Sequence, residues 1–387
     1  MAAYLQMGHH AENLVREKDL DEFMGIVLSP VNRNPSALAS DIQGFREGGQ
    51  YDIVLDPQLY FPNSDRGYLP EQPYFPADID SADLSSDTWW ADVVGRLSEF
   101  VKTLKVNAVA SPVVLPRTWT DEYFVSCADN SRDLSTELGN DDVRVLTTAM
   151  VNVAHLTQKE SPLRIASILS ESEPSGYYLV IVTDIDPRRE LSNSNELVGA
   201  MNLIAELEAT EQPVLVSHCS SDVLLFKAAG ASNCATGKFF NLRRFTRSRY
   251  EEPGGGGGQL AYWFEHSLLA FLRGPDILRL REQGYERLIG AQASENYWSR
   301  LILDQFRETP EAAWVAYGWR QYLSWFGKTE VTLSSTEPIK VVGEWLKAAE
   351  QNWLALEDDS TLFDERRNSG QWIRPWRQAL AQFARKN

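Results

Sequence analysis

The sequence predicts a (β/α)8 TIM-like barrel followed by an α-helical C-terminal domain. Three observations lead there. Short, wholly apolar runs alternate with amphipathic stretches from residue 24 to about residue 230, as parallel strands covered on both faces by helices do. Six or more such runs in strict alternation suit a closed barrel. From residue 275 onward strand-like runs stop, and helical periodicity rich in tryptophan takes over. A doubly wound open parallel sheet is the alternative with the same alternation.

Residues 1–22 read as a polar lead-in with no apolar segment of signal-peptide length. The run 24–30 is the first expected strand. Asn34 caps and Pro35 opens the next helix, Leu38, Ile42 and Phe45 share one face, and Gly48 and Gly49 end it. The second strand, 51–56, closes on Pro57. Residues 57–86 form a long loop rich in proline and aromatics, of a length typical of lids and binding loops. Helix 87–104, strand 106–112, a helix around 121–138, strand 144–151, helix 158–171, strand 176–184, helix 194–208, strand 213–218 and a short helix 222–229 follow. The seventh strand is expected at 233–237 and the eighth near 260–264, so that the barrel occupies 23–274. The loop 237–259 then lies on the face where such barrels often bind phosphate. Residues 275–387 make the helical domain, which holds eight of the twelve tryptophans, from Trp298 to Trp376. Its aromatic stripes serve either as core or as contact with a protein partner or a second copy.

Charge bounds the function. With 54 acidic against 37 basic residues the net charge is −17, a field that repels nucleic acid and anionic membrane, so any polyanion must meet a local patch. Cys127, Cys219 and Cys234 form no CxxC pair, which fits neither a disulfide framework nor a structural zinc site and suits a reducing cytoplasm. No stretch approaches the roughly 18 apolar residues of a membrane span. With five histidines and no His-x-His after the first strand, no metal is expected. No cofactor is expected either, since the dinucleotide and P-loop glycine signatures are absent.

The local patch is conspicuous. Lys238, Arg243, Arg244, Arg247 and Arg249 fall within twelve residues that contain no acid. Gly254, Gly255, Gly256, Gly257 and Gly258 follow, then Gln259. Backbone N–H groups unhindered by side chains can approach an anion or a flat ring, with arginines completing the site. Five glycines can equally be a connector, and arginines a solvated face. The strand ends supply the remaining candidates: Asp56, Ser111, Asn152, His155, Asp184, Asp186, and Ser217, His218 and Cys219. Asp56 with Asp184 and Asp186 are the catalytic candidates, since two carboxylates across a pocket can divide acid and base duty. Their bland alternative is helix or turn capping. Asn152 and His218 are candidate ligand contacts.

An aspartate after an early strand, others after the fifth, a glycine-rich segment and nearby arginines resemble the tRNA-guanine transglycosylase superfamily, including its branch acting on DNA, in layout over residues 24–273. The resemblance implies a transferase in which Asp184 attacks the anomeric carbon and Asp56 moves protons. It further implies that the glycines lie along the base while Arg243, Arg244 and Arg247 hold phosphates. The family's Asp-Ser-Gly-Gly-Phe-Gln signature is replaced by LDPQLYF, and its cysteine-rich zinc site is missing. Three functions stay open: glycosidic base exchange or cleavage on nucleic acid or nucleotide, a lyase or hydrolase of a small phosphorylated metabolite, and a non-catalytic subunit of a multiprotein complex, for example of a defence type.

Overall fold

Eight parallel strands close into a barrel in chain order, which excludes the open sheet. The computed structural model describes residues 3–17, 20–49, 51–77, 86–139, 142–251, 260–289, 296–309, 313–363 and 369–386. The strands are β1 Ala3–Gln6, β2 Phe23–Leu28, β3 Asp52–Leu55, β4 Ala108–Ala110, β5 Arg144–Asn152, β6 Tyr177–Val182, β7 Val214–Ser217 and β8 Asn233–Thr236. Between them run α1 Pro35–Gly48, α2 Asp87–Thr103, α3 Asp121–Leu138, α4 Ser161–Ser170, α5 Ser194–Glu208 and α6 Val223–Ala228. Asn34 caps α1 as its sequence suggests, its side chain accepting from the Ala37 N–H at 2.8 Å.

Two strand assignments need correction. The lead-in 1–22 contains the first barrel strand: β1 pairs with β2 on one side and with β8 on the other, closing the ring. The strand expected near 260–264 is no barrel stave. Trp263–Glu265 pairs antiparallel with Ala270–Leu272 in a separate hairpin. Four residues, one of them Gln6, are too short a run to carry a strand signal, although all four are buried. Every strand end named from the sequence is therefore one stave further round: Asp56 follows β3, and His218 follows β7.

Among the described residues between β1 and β2 there is no α-helix, and Leu14–Arg16 is a turn of 3-10 helix. The C-terminal helix Val315–Ser334 packs against β1, β8 and α6. Tyr322 Oη lies 3.0 Å from Thr236 Oγ1, and Arg320 pairs with Glu17. Helices Pro338–Asp358 and Ile373–Lys386 continue this layer over α6 and α5. One contiguous apolar core runs through barrel and C-terminal helices alike. Five of the tryptophans after residue 297, namely Trp314, Trp325, Trp353, Trp372 and Trp376, are buried in it. Among the described residues no helix is long and apolar enough to cross a membrane.

α5 approaches the turn after β5 so closely that a Cβ at Gly199 would lie 2.3 Å from the Leu156 carbonyl oxygen. Gly199→Ala is expected to cost about 1–3 kcal/mol of overpacking, read as a lowered thermal midpoint. An unchanged midpoint would mean that the turn yields freely.

Candidate active site

Asp56 sits at the C-terminal end of β3 and is wholly buried. Its carboxylate accepts from Tyr60 Oη at 2.8 Å, the Gln58 N–H at 3.0 Å and Tyr178 Oη at 3.1 Å. Burial pushes its pKa up to about 6, opposed by these three donors and by the charge of Arg249. Tyr60 comes from the long loop after β3. Its described start therefore packs down on the barrel mouth and seals the carboxylate, while residues 78–85 lie outside the described part.

A polar network spreads from Asp56. Gln58 Oε1 accepts from Ser29 Oγ at 3.0 Å, and Ser29 Oγ accepts from Arg249 Nη2 at 2.9 Å. Across the mouth, His218 is buried beside Ser217, its Nδ1 3.0 Å from Ser217 Oγ. Burial first, and the Arg249 charge second, push the imidazole down to about 3, so it is neutral at physiological pH. Gln58 and His218 both have left-handed backbone, at φ 54° and 55°. Non-glycine residues adopt that conformation at a cost and concentrate at functional sites when they do.

Beside this network lies a cleft of about 690 Å³, with Arg249 among its lining residues. Its basic lining is Arg66, Arg188, Lys238, Arg243 and Arg249, its aromatic walls are Phe239, Phe240, Tyr262 and Trp319, and no acid lines it among the described residues. Lys238 donates to the His10 carbonyl at 2.9 Å and lies over the Phe239 and Trp319 rings. Burial lowers its pKa to about 8.

The five basic residues do not act as one row: Lys238, Arg243 and Arg249 line the cleft, and Arg244 and Arg247 do not. Arg244 is buried between Asp222 and Glu190, at 3.0 and 3.2 Å. Arg243 donates to the Gly237 and Lys238 carbonyls, with its guanidinium 3.7 Å above the Tyr322 ring. Arg247 is exposed and outside the cleft lining. Gly254, Gly255, Gly256, Gly257, Gly258 and Gln259 lie outside the described residues.

Nor does the structure pair the aspartates. The hydrogen-bond donors to Asp56 are Tyr60, Gln58 and Tyr178. Asp184 is exposed, and Asp186 is engaged by the N–H and guanidinium of Arg188 in the turn after β6. Asn152 caps the following turn by accepting from the Ala154 N–H. Ser111, Tyr60, Tyr178, Gln58 and Ser29 are buried polar residues. Of these only Ser111 stands out in the sequence; the others look like ordinary strand or loop residues until the barrel closes. Among the described residues no three of His, Cys, Asp and Glu gather as metal ligands.

No protein family matches the chain, and no curated protein does. Among solved structures it is similar to a type I 3-dehydroquinate dehydratase from Clostridium difficile at 8% identity and TM-score 0.35, covering 65% of this chain and 89% of that one. It is also similar to the carboxyl transferase domain of Rhizobium etli pyruvate carboxylase, at 11% identity and TM-score 0.36 over 100% of this chain and 60% of that one. An O-GlcNAc hydrolase mutant from Thermobaculum terrenum stands at 10% and 0.39, over 100% and 93%. Likenesses of this size carry no argument about function.

Proposed function

We propose that the protein is a barrel enzyme that takes a phosphate-bearing small molecule in the basic cleft and moves a proton on it with Asp56. The observation that carries this reading is the cleft itself: Arg66, Lys238, Arg243, Arg249 and the Asp186-paired Arg188, with no acid among the described lining residues, in a chain of net charge −17. Such a concentration favours an anion locally where the molecule as a whole repels it. Arg249 lines the cleft and also reaches Ser29 in the network around Asp56, so a ligand held by its phosphate has its other end near the carboxylate. A single buried carboxylate with a pKa near the working pH suits general acid–base chemistry, as in a lyase or hydrolase.

Calorimetric titration with inorganic phosphate, ribose 5-phosphate and a nucleoside 5′-monophosphate tests this. Arg188→Ala and Lys238→Ala are each expected to weaken binding about tenfold or more, and absence of binding by all three phosphates would sink the reading.

A nucleotide glycosidic reaction, the transglycosylase-like alternative, is favoured by the four aromatic walls, which suit a base. It requires Asp184 as nucleophile. Incubation with tRNA, single-stranded or duplex DNA should then give an adduct that survives a denaturing gel and disappears in Asp184→Ala.

A further inference from the structure

Around Arg249 three buried polar atoms have no hydrogen-bond partner among the described residues: His218 Nε2, Arg249 Nη1 and Tyr250 Oη. A buried polar atom left unpaired is costly, and one is rare enough to call for a reason. Their side chains belong to one cluster. The His218 ring meets Phe245 edge-on at 5.8 Å, Phe245 stacks on Tyr250 at 5.9 Å, and Tyr250 lies edge-on to Tyr60, the donor to Asp56. The Arg249 charge is felt by both His218 and Asp56.

The chemistry of each atom follows from its other bonds. Ser217 Oγ lies 3.2 Å from the Leu179 carbonyl oxygen and 3.0 Å from His218 Nδ1. With its one proton given to Leu179 it accepts from Nδ1–H, the tautomer that leaves Nε2 as a lone-pair acceptor. Arg249 Nη1 can only donate, its Nη2 being turned to Ser29. Tyr250 Oη, close to that cation, adds a second donor.

Resting on the reading that a phosphorylated ligand enters from the cleft, we propose that these three atoms line a chamber that binds the ligand's reacting end as a hydroxy acid or hydroxy ketone: a carboxylate or carbonyl oxygen accepts from Arg249 Nη1 and Tyr250 Oη, and the neighbouring hydroxyl donates to His218 Nε2. Asp56, whose donor Tyr60 packs edge-on against Tyr250, is then the group able to take or return a proton through the Tyr60 hydroxyl.

The test uses the full chain with its histidine rings labelled with nitrogen-15, and glycolate, acetate and inorganic phosphate as probes. The free protein is expected to show His218 as the Nδ1–H tautomer. Glycolate, at concentrations on the order of tens of millimolar for so small a probe, should move the Nε2 resonance more than acetate does. Arg249→Gln should weaken glycolate about tenfold or more, and Tyr250→Phe less, with the His218 tautomer unchanged in both. Tyr250→Phe and the wild-type tautomer keep the test alive should Arg249→Gln fold poorly. An Nε2–H tautomer, or an Nε2 signal that glycolate does not move, would mean that the chamber holds water only and overturns the proposal. Phosphate binding that depends on Lys238 reports the cleft separately, so the cleft reading can stand while the chamber proposal falls, or the reverse.

Discussion

Replacing Glu330 by alanine is expected to destabilise the protein by about 3–5 kcal/mol, the range for stranding one partner of a buried ion pair. Glu330 is fully buried on the C-terminal helix Val315–Ser334, with Oε2 3.0 Å from Lys227 Nζ of α6 and Oε1 accepting the Cys234 N–H of β8 at 3.0 Å. Lys227 gives its protons to the Ala231 and Ser232 carbonyls, so its contact with Oε2 is chiefly ionic. Alanine would leave that ammonium buried against carbonyls alone and would orphan the Cys234 N–H. Glu330→Gln, which keeps an acceptor for Cys234, should lose less. The double variant Lys227→Met with Glu330→Leu should recover much of the loss, because no charge is left behind. Urea unfolding of the four proteins decides it, and a loss below about 1 kcal/mol in Glu330→Ala would refute the pairing as a stabilising lock.

The second large effect is on pH dependence. Burial raises Asp56 from 3.8 to about 6, and Glu265 and Glu330 from 4.5 to about 7. Each of these carboxyls keeps its proton longer in the folded state, so its contribution is complete below the unfolded value and is lost as pH rises through the folded one. His218, lowered from 6.5 to about 3, works the other way: its contribution is complete above 6.5 and is lost as pH falls toward 3. Glu190, which burial also raises to about 7, joins the three carboxyls, so between about pH 4.5 and 6 four carboxyls oppose one imidazole and stability should fall on the order of a few kcal/mol as pH rises. It should peak near about pH 4.5 and flatten above about pH 7. Urea midpoints measured across that range should trace this shape, and midpoints rising steadily from acid to neutral pH would contradict it. Glu265→Gln should flatten the descent, since Glu265 accepts from Trp263 Nε1 and from Ser267 and belongs to no ion pair among the described residues.

Much of the barrel was legible because a stave buried on both faces must be apolar throughout, as Tyr177–Val182 and Val214–Ser217 nearly are. β1 was not legible, because four residues that include a glutamine carry no such signature. The basic run was legible as charge but not as fate. Arg244 is neutralised by Asp222 and Glu190, 22 and 54 residues away in the chain, and no local window can show that. Asp56 was visible as an acid at a strand end. Its network was not, since Tyr178 looks like one more strand aromatic and Ser29 like the residue before a proline, until curvature turns both inward. The C-terminal helices were visible as helices. That one of them covers the barrel beside β1 and β8 is seen only once the ring is closed.

Closure itself sets the order of assembly. The ring is sealed by Ala3–Gln6 against Asn233–Thr236, so the first stave synthesised meets its last neighbour only after some 230 intervening residues have been made. At ribosomal rates that interval is on the order of tens of seconds. During it β1 has β2 on one flank and an open edge on the other, a template for wrong pairing. With so distant a contact completing the sheet, refolding should be slow and should depend on whatever shields that edge meanwhile. The vulnerable edge of the nascent chain is thus its N-terminal strand, far in sequence from Asp56 and the cleft.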